Sequence, residues 1–187
     1  MTRTTGRTGA WGWTALAVYV ASIPAANWLI HNVGSEVLPG GVHLAPVGFG
    51  QLAPSGVYAA GVSFVARDLV QRALGRRAAL LAIALGTALS AAVSPTLALA
   101  SGAAFLFSEL ADFAVYTPLE RRHFTAAVFA SGVVGSVVDS IIFLAVAKIR
   151  FADALAGLLI GKLWVQLLAV PVAAWLRRRI PASPDER

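Results

Sequence analysis

Glu109 and Asp112 stand three residues apart in FLFSELADFAVYTPLERR, residues 105–122, one of the most apolar stretches of the chain. Positions i and i+3 share a helix face, so both carboxylates point the same way. Ser108 is adjacent, and Tyr116 lies one turn beyond Asp112; together they form a polar stripe. A carboxylate at the centre of a bilayer costs about 2.5–3.5 kcal/mol on insertion scales. Two on one face call for a buried base, a bound ligand or a proton.

Four further ionisable residues lie within or close to apolar runs: Arg67, Asp68, Asp139 and Lys162. At about 1.5 Å per helical residue, Glu109 and Asp112 fall roughly 20 and 24 Å below the outer end of their run, and Arg67 roughly 21 Å below the outer end of its own. By the same rise Asp139 and Lys162 match at roughly 12–14 Å. Buried charges persist when paired and hydrogen-bonded. The depths therefore couple Arg67 with Glu109 or Asp112, and Asp139 with Lys162. Asp68 falls near the cytoplasmic edge. Acids outnumber bases, which leaves one carboxylate protonated or free for a ligand. The Asp139–Lys162 couple is either a structural clasp or part of a site. Gln166, one turn from Lys162, is either a ligand amide or a helix–helix bond, and Asn27 is open in the same way.

The elements that carry these residues are membrane helices. Of 187 residues, 58% are hydrophobic and 13% charged, against about a quarter charged in soluble domains. A span needs about 20 apolar residues, and six segments qualify: 13–30, 53–69, 78–93, 96–116, 124–147 and 154–176. Ser94-Pro95 makes the turn between the third and fourth tight. The expected fold is an all-α integral membrane protein, six helices in one bundle over 13–177, with tails at 1–12 and 178–187. The first apolar run reads as a retained span, without a clean cleavage site.

Net charge is +6, and its distribution argues against nucleic acid. Arg3, Arg7, Arg67, Arg72, Arg76, Arg77, Arg121, Arg122 and Arg177, Arg178, Arg179 all fall on one side of a six-span arrangement. That bias puts both termini in the cytoplasm of a multi-pass inner-membrane protein. Trp11, Trp13, Trp28, Trp164 and Trp175 lie mostly near span ends, as an aromatic belt does. The segment 31–52 is the longest connection and is rich in Gly and Pro; it is either a lid over an outward cavity or a flexible surface loop. Ala17, Ala21 and Ala25 form a small-residue seam for packing, or for docking a partner helix. There is no cysteine. His31, His43 and His123 are scattered, so no metal site, cofactor or catalytic residue is expected. Charges of mixed sign favour a carrier over a channel.

Four stretches in order, SFVARDLVQRALGRR (63–77), FLFSELADFAVYTPLERR (105–122), GSVVDSIIF (135–143) and GKLWVQLLAVP (161–171), resemble the vitamin uptake transporter, or VUT, family, better known as queuosine-precursor transporters. The resemblance covers roughly Ser63 to Pro171. It implies uptake of a 7-deazaguanine base, 7-cyano-7-deazaguanine or a relative. It also implies a six-helix fold similar to the substrate-binding subunits of energy-coupling-factor transporters. The residues suit such a ligand. A guanine-type edge presents an N–H beside an amino group, and a carboxylate accepts both in a bidentate pair. Lys162 or Gln166 could donate to the ring carbonyl, and Phe105, Phe107 or Trp164 could stack on the ring plane. The expected substrate-binding set is Asn27, Arg67, Ser108, Glu109, Asp112, Tyr116, Asp139, Lys162 and Gln166. The expected partners are a deazapurine base, the lipid bilayer, and a second copy or an energising protein. A stand-alone secondary carrier is the first reading. A binding subunit of an ATP-driven importer is the second, and an intramembrane enzyme the third.

Overall fold

A computed structural model describes residues 3–38, 41–93, 98–146 and 151–180. Among these, five helices and three strands follow in the order α1 (Arg3–Asn32), β1 (Glu36–Leu38), β2 (Val42–Gly48), β3 (Gln51–Pro54), α2 (Val57–Leu74), α3 (Arg76–Val93), α4 (Ala98–Val146) and α5 (Phe151–Arg177). By length and apolar composition, Ala10–Asn32, Leu99–Val146 and Ala154–Arg177 can cross a membrane. The expectation of a helical membrane protein holds at this level.

The 49 residues of α4 would extend about 74 Å if straight, more than twice a hydrocarbon core of about 30 Å. They do not run straight. His123 leaves helical geometry at φ −136°, ψ 59°, and the chain reverses there. A Cβ added at Gly135 would lie 3.1 Å from Asp112 Cβ, so the arms before and after residue 123 pack side by side. The reversal needs no loop. Tyr116 and Phe124 meet edge to face at 6.4 Å across it, over Ala127, Val128, Ala169 and Ala173. The expected boundary between 116 and 124 is thus corrected: the helix runs on through Pro118 to Arg122 before it turns.

The connection after α1 and the start of the second helix differ from expectation. The described part of the segment 31–52 is not a plain flexible loop. It carries a small antiparallel sheet in the order β1-β2-β3, added to an otherwise helical chain. Alternation shows at the end of β2, where Val47 faces the core while its neighbours Pro46 and Gly48 do not. The second helix starts at Val57, not at 53, because Gln51–Pro54 is strand. α1 is helical from Arg3, ahead of the candidate span at Ala10–Asn32, and Ile180, beyond the end of α5, is buried against Ala73 and Leu176. Ser94-Pro95 lies outside the described residues.

The sheet rests on the start of α5. The Trp164 indole N–H donates to Val47 O at 2.9 Å, and the Tyr58 hydroxyl to Pro46 O at 3.1 Å. A Cβ at Gly157 would overlap the Leu52 carbonyl, so only glycine lets β3 approach α5 there. Gly61 plays the same part between helices: an added Cβ would meet Val165 at 2.8 Å.

Candidate functional site

Arg67 is fully buried in the middle of α2 and uses its whole guanidinium. Nε donates to Glu109 Oε2 at 3.3 Å, and Nη1 to Gln71 Oε1 at 3.3 Å. Nη2 lies 3.0 Å from Asp68 Oδ1 and is ion-paired with Asp112 Oδ1 as well. Phe113 and Tyr116 place their rings 5.9 and 5.6 Å from Cζ. Gln71 continues outward to Thr117 Oγ1 at 3.1 Å. Arg67 is suited to this role because its planar fork reaches several carboxylates at once, which a lysine ammonium does not.

All three carboxylates are fully buried. One guanidinium against three acids leaves a formal surplus of two negative charges where water is excluded. The polar atoms also do not balance. Glu109 Oε1, Asp112 Oδ2 and the hydroxyls of Tyr19 and Tyr116 are buried without a hydrogen-bond partner. A buried acceptor left unpaired costs about 1–3 kcal/mol, more when charged. Surplus acceptors beside unpaired donors suit a ligand or proton.

Asp68 corrects an expectation. It sits in this cluster, not at the cytoplasmic edge, and it accepts from Ser131 Oγ at 3.2 Å. Neighbours on a helix do not share a face, so spacing on α2 alone could not bring it in; the Arg67 side chain turns back to it. Ser131, Gln71, Ser63 and Tyr19 were missed altogether. Ser63 interacts with Glu109, and Tyr19 lies in the field of Glu109, Arg67 and Asp112. Ser131, Ser63 and Tyr19 are small or aromatic residues in apolar runs, and Gln71 is a neutral amide near a helix end; none gives a signal of its own until the packing is known.

The expected polar stripe is only partly present. Ser108 is buried but donates to its own helix, at Phe105 O, 3.0 Å away. Tyr116 packs its ring beneath Arg67. Asn27, half-buried on α1, is eight residues past Tyr19, about 12 Å along the helix, and is not brought to the cluster. Of the stacking candidates, Phe107 is 54% exposed and faces outward, while Trp164 clamps the sheet. Phe105 stays inside, tilted against Tyr19 with ring centroids 6.1 Å apart.

Asp139 and Lys162 form a second couple between the second arm of α4 and α5. Lys162 Nζ is ion-paired with Asp139 Oδ2 and also donates to Ser140 Oγ at 2.9 Å. The lysine side chain is 2% exposed and the aspartate 22%, so this carboxylate meets its surroundings while the Arg67 cluster does not. Gln166, one turn on, donates to Gly61 O at 3.4 Å, and its buried Oε1 has no partner. It lines a cavity of about 160 Å³ with Val133, Ser136, Val137, Leu159 and Leu163.

A third couple closes the other end. Arg72 Nη1 donates to Glu120 Oε1 at 3.2 Å, its Nε to Ile180 O at 2.8 Å, and its Cζ sits 4.2 Å over the Phe124 ring. Three charged layers thus lie along α2, α4 and α5, from the sheet end to the reversal at His123.

Residues 90–176 match the family model described as "Putative vitamin uptake transporter". Over that stretch, just under half of its length, the chain is similar to the vitamin uptake transporters. No curated protein and no solved structure matches it. The vitamin uptake transporter match takes in Glu109, Asp112, Ser131, Asp139, Lys162 and Gln166, and so both the second couple and the α4 side of the Arg67 cluster. Arg67 and Asp68, on α2, precede it. Together with the apolar helices, the match points to a membrane protein.

Proposed function

We propose that the chain imports a queuosine precursor, 7-cyano-7-deazaguanine or a related 7-deazaguanine base, as a stand-alone secondary carrier in the inner membrane. The observation that carries this reading is the surplus of buried carboxylates around Arg67. Two of them lie on the stretch that matches a vitamin uptake family. A guanine-type edge supplies the donors the cluster lacks. Glu109 is the best placed acceptor: Oε1 is unpaired, and Arg67 holds only Oε2. Of the three stacking candidates Phe105 is the one near that region, since it packs on Tyr19. The more accessible Asp139, with Lys162 and Gln166, forms the approach from the sheet end.

On this reading the six helical rods, counting α4 as two, each cross the bilayer, in a bundle like that of the energy-coupling-factor binding subunits. The exposed Arg77, Arg122, Arg177 and Arg178 crowd the end opposite the sheet, which the positive-inside rule assigns to the cytoplasm.

A second reading, a binding subunit of an ATP-driven importer, has one observation in its favour. Ala17, Ala21 and Ala25 are all exposed on α1, so this small-residue seam is not used within the chain and is open to a partner helix. The test is uptake of 7-cyano-7-deazaguanine by a host lacking its own synthesis and importer, scored by queuosine in tRNA. Rescue by this chain alone supports the carrier. Rescue only with an ATP-driven partner supports the second reading, and none by well-expressed protein with or without one refutes the substrate.

A further inference from the structure

Two of the three buried acids are tied together more closely than either is to Glu109. Asp68 Oδ1 and Asp112 Oδ1 both lie against the same guanidinium nitrogen, Arg67 Nη2. Two carboxylates held on one nitrogen repel each other strongly when both are ionised, and such dyads retain one proton between them. Ser131 stands between them. Its hydroxyl donates to Asp68 Oδ2 at 3.2 Å and also interacts with Asp112. Asp112 Oδ2 is fully buried and has no hydrogen-bond partner. A hydroxyl can donate once while accepting. A proton on Asp112 can therefore bond to Ser131 Oγ while Ser131 donates to Asp68, and the reverse order serves equally.

We propose that Asp68 and Asp112 share one exchangeable proton, relayed by the Ser131 hydroxyl, and that this proton is carried across the membrane together with the base. The proposal rests on the uptake reading of the same cluster and adds its energy source. The three acids then have three partners: the guanidinium, the proton and the base edge on Glu109. No bond other than O–H forms or breaks; the proton leaves one carboxylate oxygen for the other or for water. The charged and titratable groups facing the dyad are Arg67 on α2, Glu109 and Tyr116 on α4 and Tyr19 on α1. Lys162 of α5 is engaged by Asp139, and the bases of α3, Arg76 and Arg77, stand at its start. Packing favours a proton over a sodium ion. A Cβ at Gly135 would meet Phe64 at 2.9 Å and Asp112 at 3.1 Å, so this side of the dyad has no room for a coordinated cation.

Infrared spectroscopy of the full chain in vesicles, without substrate, reads the proton directly. The wild type is expected to show a protonated-carboxyl C=O band near neutral pH. Asp68→Asn and Asp112→Asn each lose it, and Glu109→Gln keeps it. Loss in Glu109→Gln alone, or no band in the wild type, overturns the dyad. Ser131→Ala keeps both acids and guards against misfolding of the Asn variants; its band is expected to shift, and an unshifted band overturns the relay. Transport is the second arm. An acid gradient on the side of added 7-cyano-7-deazaguanine is expected to drive up to about tenfold accumulation per pH unit, for one proton per base. Asp68→Asn loses this drive, and a sodium gradient supplies none. Uptake indifferent to the pH gradient, or driven by sodium, overturns the coupling and leaves the uptake reading standing. If no base is taken up under any gradient, the uptake reading fails, and the infrared pattern alone decides whether the dyad holds its proton.

Discussion

At the scale of residues, the molecule is organised by what Arg67 compensates. Removing a buried ion-pair partner costs about 3–5 kcal/mol, because the charges left behind are no longer in water. Arg67→Met leaves three fully buried acids without a base, so at least that loss is expected in unfolding of the detergent-solubilised protein. Arg67→Lys is expected to recover only part of it, since one ammonium cannot repeat contacts that now leave from Nε, Nη1 and Nη2. Equal stability of Arg67→Met and wild type would mean the acids are balanced by protons alone. The second couple gives a different signature. Asp139→Asn strands Lys162 in a buried position, while Asp139→Asn with Lys162→Met removes both charges. The double variant is expected to be more stable than the sum of the single losses; strict additivity would show that the contact of Lys162 with Asp139 carries no coupling.

At the scale of elements, the sequence was legible where hydrophobic length or charge decides and silent where packing does. The apolar runs locate every helix, and matched depth alone pairs Lys162 with Asp139 and Arg67 with the Glu109 face. Depth could not find Asp68, because its approach to Arg67 depends on how one side chain folds back. Nor could it find the sheet, whose strands are short and bury fully only Val47 and Ala53. The reversal at His123 was hidden for a related reason: helix continues on both sides, and the turn is a single residue leaving helical geometry. What holds the sheet is correspondingly local. Trp164→Phe keeps the ring but removes the indole donor to Val47 O. A loss of about 1 kcal/mol is expected for one such bond. Hydrogen exchange across 42–48 should rise while the helices stay protected; unchanged exchange would show that Gly157 and Tyr58 hold the sheet unaided.

At the scale of the whole molecule, the charges sort into layers along the bundle. Asp139 and Lys162 lie nearest the sheet, the Arg67 cluster lies in the middle, and Arg72 with Glu120 closes the end at the reversal. The surface repeats the order. Glu36, His31 and Asn32 are exposed at the sheet end, and Arg121, Arg122, Arg177, Arg178 and Arg179 at the other. Loops rich in Lys and Arg stay on the cytoplasmic side, so the sheet should face outward and substrate should enter beneath it. The natural chain has no cysteine, so single cysteines can be introduced without background. Glu36→Cys, on β1, and Arg122→Cys, just before the turn of α4, change exposed side chains. In intact cells a membrane-impermeant thiol reagent is expected to label position 36 and to spare position 122 until the membrane is opened. Labelling of both from outside would break the six-crossing arrangement, because 36 and 122 are separated by three rods. The opposite pattern would keep the bundle and invert it, making the sheet a cytoplasmic cover and the Arg72–Glu120 end the mouth through which substrate enters.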